Sequence, residues 1–287
     1  MTSISIIGAG WLGKSLAQHL KQRHAIYLSK SSPESTAALL AEGWNADTFT
    51  LGGTLPNLLA NTELAVINIP PKLRGTASPQ DAERFARNML KLVGDFMGLP
   101  NITNSKKRLI FISTTAVYGN VNGEITETSA VAPITLSAKA HVEIEQHLHT
   151  QYPGQACVLR LAGLVSADRH PIRSLVKRAQ ASHKPLDNPS QVVNLIHRVD
   201  VIAAISAIID KHHFGTTLHL ACPDHPTRER YYNWAAEHCG LPALSFNTQA
   251  AHSTGATGKV INAAATLQQL DLTLQAPSPY DMFSVEG

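Results

Sequence analysis

Short apolar runs alternate along the chain with longer stretches of helical period. "SISIIGAG", beginning at Ser3, reads as a buried strand running into glycines, after which Leu12, Leu16 and Leu20 recur on one helical face. "AIYLSK" from Ala25, "ELAVINIPP" from Glu63 and "RLIFISTTAVYG" from Arg108 read as further strands. In the last of these the unbroken run Leu109, Ile110, Phe111, Ile112 fits a strand covered on both sides, the mark of parallel pairing. Ahead of it, "DAERFARNMLKLVGDFMGL" sets Phe85, Met89, Leu92, Val93 and Phe96 along one helical stripe. "ACVLRLAGLV" from Ala156 adds another strand. Strand, helix, strand in this order predicts an α/β protein of Rossmann type, a doubly wound parallel sheet with ligands at the carboxyl ends of its strands.

After Val165 the rhythm loosens. "SADRHPIRSLVKRAQASHKPLDNPS" is polar with two short helical hints, "RVDVIAAISAIIDKH" from Arg198 is an amphipathic helix, and "RERYYNWAAEHCG" from Arg228 is another helix among loops. The expected division is a Rossmann domain over 1–165, completed by about 191–221, and a smaller C-terminal substrate lobe from 166–190 and 222–287.

Composition narrows the classes. The 287 residues are 44% hydrophobic and 16% charged, enough for a sizeable core, and the net charge of +3 is spread thinly. Lys106, Lys107 and Arg108 form the one short basic run, so no nucleic-acid partner is expected. Cys157, Cys222 and Cys239 match neither a disulfide framework nor a zinc site, and a reducing cytoplasm is the expected home. No apolar stretch approaches the roughly 18 residues of a membrane span, and "MTSISIIGAG" has no basic leader, so neither export nor a membrane partner is expected.

The candidate chemistry begins at Gly8, Gly10 and Gly13 in "GAGWLG". A GxGxxG directly after a strand and opening a helix gives a tight turn, close approach of a pyrophosphate, and tight helix packing, in that order. A dinucleotide is the expected cofactor, held at Gly8, Gly10, Trp11, Leu12 and Gly13. At the end of the second strand, "YLSKSSPE" offers Ser29, Lys30, Ser31 and Ser32 but no carboxylate for a ribose 2′-hydroxyl, and Glu34 lies too far along. Hydroxyls and a cation suit a 2′-phosphate, so NADP is favoured over NAD. Ser113, Thr114 and Thr115 end a central strand, where they either point hydroxyls into the crevice or serve β propensity alone.

"PITLSAKAHVEIEQHL" from Pro133 reads as a helix start with Ser137 in the cap position. Lys139 then faces the positive end of the helix dipole, an odd place for a cation. His141, Glu145 and His149 share one side of this helix at i, i+4 and i+8, which we read as a solvated or interfacial face rather than a metal site. His212 and His213 sit at a helix end, where positive charge is welcome.

Taken in order, "GAGWLG", "VINIPP", "STTAVYG", "LRLAGLVSADRHP", "NLIHRVDV" and "GTTLHLACPDHPTRERYYNWAAEHCGLP" resemble the short-chain dehydrogenase/reductase superfamily in its extended, epimerase/dehydratase-like form. The resemblance covers nearly the whole chain and implies an oxidoreductase or epimerase/dehydratase-like enzyme acting on a small polar metabolite. It also implies cofactor contacts at Ile69, Pro70 and Ala162, and substrate contacts at Arg169, Asn194 and His197, with His170, Arg173 and Arg198 nearby. In the family a lysine at this helix start binds the nicotinamide ribose and lowers the pKa of a tyrosine four residues earlier. Lys139 matches the lysine and Thr114 the family's hydroxyl, but Thr135 stands at the tyrosine's position. An aliphatic hydroxyl cannot replace a phenol as acid/base. Tyr118, His141 and Asp168 are the candidate substitutes, and a non-catalytic NADP-binding regulator is the alternative reading. Extended members commonly pair the helices near 81–99 and 137–151, so a homodimer through Phe85, Met89 and Phe96 is expected.

Overall fold

The computed structural model describes residues 1–73, 75, 77–99, 106–247 and 255–285. Its order is β1 (Ser3–Ile7), α1 (Trp11–Leu20), β2 (Ala25–Lys30), α2 (Pro33–Ala41), β3 (Asn45–Thr48), α3 (Asn57–Ala60), β4 (Leu64–Ile67), α4 (Pro79–Met97) and β5 (Arg108–Thr114). A 3₁₀ turn (Thr115–Tyr118) follows, then β6 (Gly123–Ile125), α5 (Leu136–Gln151), β7 (Ala156–Leu161), β8 (Gly163–Val165), α6 (Ile172–Ser182), β9 (Leu195–His197) and α7 (Arg198–Asp210). The last elements are β10 (Thr216–Leu220), α8 (Arg228–His238), β11 (Lys259–Ile261) and α9 (Ala264–Leu270).

Seven strands form one parallel sheet in the order β10-β7-β5-β4-β1-β2-β3. Ile6 is in register with Leu28 on one side and Val66 on the other, so the centre is built of branched apolar residues covered on both faces. From β1 the order runs to β2 and β3 one way and to β4 and β5 the other. That reversal beside β1 opens a crevice at the strand ends, directly over the glycine turn.

Two compact units divide the chain. The first holds 1–119, 131–160 and 204–218, and the second 120–130, 161–203 and 219–287. The lobe segments expected at 166–190 and 222–287 fall in the second unit, together with 120–130, 161–165, 191–203 and 219–221. In the second unit β8 pairs with β9 and β6 with β11, while α6 and α8 share a core of Ile172, Leu175, Val176, Ala235, Ala236, Leu244 and Phe246. Among the described residues no helix is long and apolar enough to cross a membrane.

The apolar stripe of α4 forms as the spacing predicts, between a Ser78–Asp81 capping box and Gly98. Its direction differs from the expectation that placed these side chains at a dimer surface. Phe85, Met89 and Phe96 are 7%, 0% and 0% exposed and pack with Phe111, Ile144 and Val158 in the first unit's own core. Each such side chain stabilises the fold by about 1.5–3 kcal/mol through burial, so these three serve the protein's own core. Lys107, from the short basic run, is itself buried; its ammonium lies 4.5 Å from the Phe96 ring centroid and donates to the carbonyls of Ala60 and Phe96. It closes the ends of α3 and α4, an ordinary helix C-terminal cation drawn inside.

Candidate active site

The glycine turn is built as its spacing requires. Gly8 has φ +100°, and a Cβ there would stand 2.4 Å from the Asn68 carbonyl oxygen. A Cβ on Gly13 would stand 2.6 Å from the Gly8 oxygen, so α1 packs against the turn only without a side chain. Gly10 differs: nothing lies within 4 Å of its added Cβ. It is the N-cap of α1, which has no side-chain cap and no acidic residue in its first turn. A positive helix end without a side-chain cap, beside open space, fits a pyrophosphate. Leu12 is buried and Trp11 half-buried, which leaves their backbone as the part nearest the turn.

At the end of β2 the serines divide by role. Ser29 is buried, and its hydroxyl accepts the Gly8 amide at 2.9 Å, so it supports the turn rather than facing a phosphate. Ser32 caps α2 by accepting the Ser35 amide at 3.3 Å. Lys30 is half-buried and Ser31 exposed, and these two remain to meet a ligand. Glu34 is exposed and held below the usual carboxylate range by its own backbone amide and by Ser32. Asp47, which sequence reasoning missed, pairs in register with Ser29 and accepts the Thr48 amide at 2.7 Å. Ile69 is half-buried against the core and Pro70 exposed. Ala162, in the second unit, is buried and donates its amide to Leu220 at 2.9 Å.

The helix start departs from expectation in three ways. Thr135, not Ser137, is the N-cap of α5: its hydroxyl accepts the Ala138 amide at 3.1 Å. It is exposed and committed to the helix, which is why a short hydroxyl suits the position. The sheet-facing side of α5 carries Ala138, His141, Ile144, Glu145 and Leu148. At about 100° per residue, Lys139 lies roughly half a turn from His141, and it is exposed. Lys139 therefore points away from the core side of α5 and toward solvent. The side read as solvated is partly core: His141 is 5% exposed and Glu145 2%, while His149 alone stays outside, on the Thr217 hydroxyl at 2.8 Å. No metal-binding group of His, Cys, Asp or Glu occurs among the described residues. Burial lowers the His141 pKa against the Ser137 carbonyl and the Glu145 charge, and its Nδ1 lies 2.8 Å from that carbonyl.

Thr114 ends β5 half-buried, accepting the Ala116 amide at 3.1 Å to start the 3₁₀ turn. Tyr118, a candidate acid/base, is buried instead, with its oxygen accepting from Arg160 at 3.0 Å and the guanidinium 4.9 Å from its ring centroid. Arg160 also donates to Glu145 at 2.7 Å, and Ser113 donates to the same carboxylate. Burial opposes charge on Arg160, but bonds to Glu145 and Tyr118 outweigh it and keep the guanidinium charged. Ser113, Thr114 and Tyr118 were singled out from the sequence, and Glu145 only as part of a helix face; nothing local signalled that Glu145 and Arg160 meet.

In the second unit the residues expected to meet a substrate have separate partners and exposures. Asn194 spends its whole amide on β11, donating to the Lys259 carbonyl and accepting from the Ile261 amide, both at 2.9 Å. His197 is fully buried with no partner for Nε2 among the described residues, and burial followed by Arg198 lowers its pKa. Arg169 and Arg173 are exposed. Asp168 accepts from Ser166 and, at 3.4 Å, from buried Arg198. His170 turns inward, with Nε2 2.8 Å from the Tyr231 hydroxyl and Nδ1 accepting the Ile172 amide at 3.2 Å.

Known proteins share this fold. A family model described as the NAD dependent epimerase/dehydratase family matches residues 4–220. The Escherichia coli (strain K12) protein YeeZ is 29% identical over 98% of this chain and 99% of its own. UDP-glucuronic acid 4-epimerase from Bacillus cereus in complex with NAD has a similar fold, with TM-score 0.75 and 15% identity over 99% of this chain and 97% of its own. Human epimerase family protein SDR39U1 with NADPH is similar with TM-score 0.71 and 15% identity, over 98% of this chain and 97% of its own.

Proposed function

We propose, from the premise that the chain belongs to the NAD dependent epimerase/dehydratase family, that it is an NADP-dependent enzyme of that kind acting on a small polar metabolite. One observation carries the cofactor: the open Gly10 turn at an uncapped helix start, next to a β2 end that offers Lys30 and Ser31 in place of a carboxylate. Solved proteins of this fold include one described with NAD and one with NADPH, so the choice rests on Lys30, whose ammonium suits a 2′-phosphate. The bound dinucleotide would supply hydride chemistry. The chain would supply Gly8, Gly10 and Gly13 for the pyrophosphate, Lys30 and Ser31 for the 2′-phosphate, and Thr114 as a hydroxyl at the strand end. A nucleotide sugar or another anionic metabolite is the substrate class, and a reducing cytoplasm suits three free cysteines, two of them buried with pKa pushed up to about 12.

A second reading, an NADP-binding regulator without turnover, is favoured by Thr135 and Lys139. The first is committed as a helix cap and the second is turned to solvent, so no Tyr-Lys pair is available for proton transfer. Calorimetric titration with NADPH and NADH, followed by incubation with sugar nucleotides, aldehydes and ketones, tests both. The enzyme reading expects NADPH to bind more tightly and one substrate class to be converted. Tight binding with no conversion across the panel selects the regulator, and binding of neither dinucleotide defeats both.

A further inference from the structure

Arg160 on β7 and Glu145 on α5 meet in the first unit with side chains only 8% and 3% exposed. Arg160 Nε lies 3.2 Å from both carboxylate oxygens, and its outer nitrogen donates to one of them at 2.7 Å. Such a pair is a poor device for stability alone. Removing both charges from water offsets most of their attraction, and apolar side chains of similar volume hold a core at least as well. What a planar guanidinium and a carboxylate supply is direction.

Thr114 stands between two anchors of this pair. Ser113, immediately before it, donates to Glu145, and Tyr118, four residues on, accepts from Arg160 at 3.0 Å. The turn between them is closed by Thr114 itself through the Ala116 amide. Both ends of the segment that carries Thr114 are therefore tied to one rigid point shared by α5 and β7. Tyr118 is an anchor in this arrangement, its ring beneath the guanidinium and its oxygen engaged.

We propose that Glu145 and Arg160 are positioning residues that fix Thr114 and its 3₁₀ turn against the nicotinamide half of the dinucleotide, an inference that rests on the cofactor reading above. A hydroxyl at a strand end held only by apolar packing can shift by a fraction of an ångström, and displacements near 1 Å at a reacting centre cost about a hundredfold. A fully hydrogen-bonded ionic network removes that freedom.

The test is the double variant Glu145→Leu/Arg160→Met, which replaces the pair by apolar volume and leaves no unpaired buried charge. Two ligands are titrated, NADPH and adenosine 2′,5′-bisphosphate, the second lacking the nicotinamide half. The expected result is a melting temperature close to that of the unchanged protein, NADPH weakened about tenfold, the bisphosphate within about twofold, and faster hydrogen exchange of amides 113–119. Equal loss of both ligands, or loss of neither, overturns the proposal, as does unchanged exchange over those amides. Should the double variant fail to fold, Ser113→Ala/Tyr118→Phe keeps the ion pair and cuts both anchors; about threefold loss for NADPH alone is expected, and no difference between the ligands overturns the proposal. Absence of NADPH binding by the unchanged, folded protein would defeat the cofactor reading itself, a result distinct from all of these.

Discussion

The Ser29 hydroxyl accepts the Gly8 amide at 2.9 Å, across the turn that joins β1 to α1. This bond separates two neighbours that look alike in the sequence. Ser29→Ala leaves the half-buried Gly8 amide without its partner and should destabilise the fold by about 1 kcal/mol. It should weaken NADPH and NADH equally, because the turn serves both. Lys30→Ala should weaken NADPH about tenfold and leave NADH nearly unchanged, the loss of one charge-assisted contact. Paired titrations distinguish them, and equal losses in Lys30→Ala would remove the 2′-phosphate assignment.

Gly10→Ala and Gly8→Ala should fail in opposite ways. An added methyl at Gly10 meets nothing within 4 Å, so thermal stability should hold while dinucleotide binding is lost. At Gly8 the same methyl meets a carbonyl at 2.4 Å in a backbone with φ +100°, and melting should fall first, by at least about 1–3 kcal/mol. Melting curves with and without NADPH give both quantities.

Thr135→Ala should cost about 1 kcal/mol, the value of an N-cap hydroxyl, read from urea unfolding. Lys139→Ala should leave NADPH affinity within about twofold, since exposed charges contribute little. A loss of tenfold or more would return Lys139 to the cofactor.

His170 should make the protein acid-sensitive. Burial lowers its pKa to about 4 from the ordinary 6.5, and its neutral ring bridges Ile172 and Tyr231. Below pH 6.5 the unfolded chain takes up this proton while the folded one does not, so stability falls as pH drops toward 4 and then levels. The full effect is about 3 kcal/mol. His170→Asn should flatten that part of the pH dependence, and the ring's proton resonances should show no titration near pH 6.5.

Lys107→Met should lower stability by about 2 kcal/mol without changing NADPH affinity, because the ammonium serves two helix-end carbonyls in the first unit's core. Chemical unfolding and titration of the same sample check both halves.

Much of this was legible from period and spacing. The runs at Ser3, Ala25, Leu64, Arg108 and Ala156 all became strands of the main sheet, because covered parallel strands are continuous in apolar residues. β3 escaped notice because "NADT" is polar and lies at the sheet edge. β6 and β11 escaped because each is three residues long and finds its partner far along the chain. On α5 the core side includes His141 and Glu145, two residues that read as polar, so the apolar pattern alone did not show which way Lys139 turns. Asn194 and His197 were singled out for their chemistry, but what decides a side chain's work is its neighbours, and for Asn194 these are backbone atoms of β11.

The two compact units draw on the chain in turn, the second taking 120–130, 161–203 and 219–287. Synthesis from the amino terminus therefore presents β6 at the ribosome long before β11 exists to pair with it, and β7 before β10. The first unit has all its segments only once residue 218 is made, and the second waits for 219–287; until then an open strand edge is an invitation to pair wrongly. No single cut yields a freestanding half: a truncation meant to isolate the dinucleotide cradle would also remove 204–218 from its own unit.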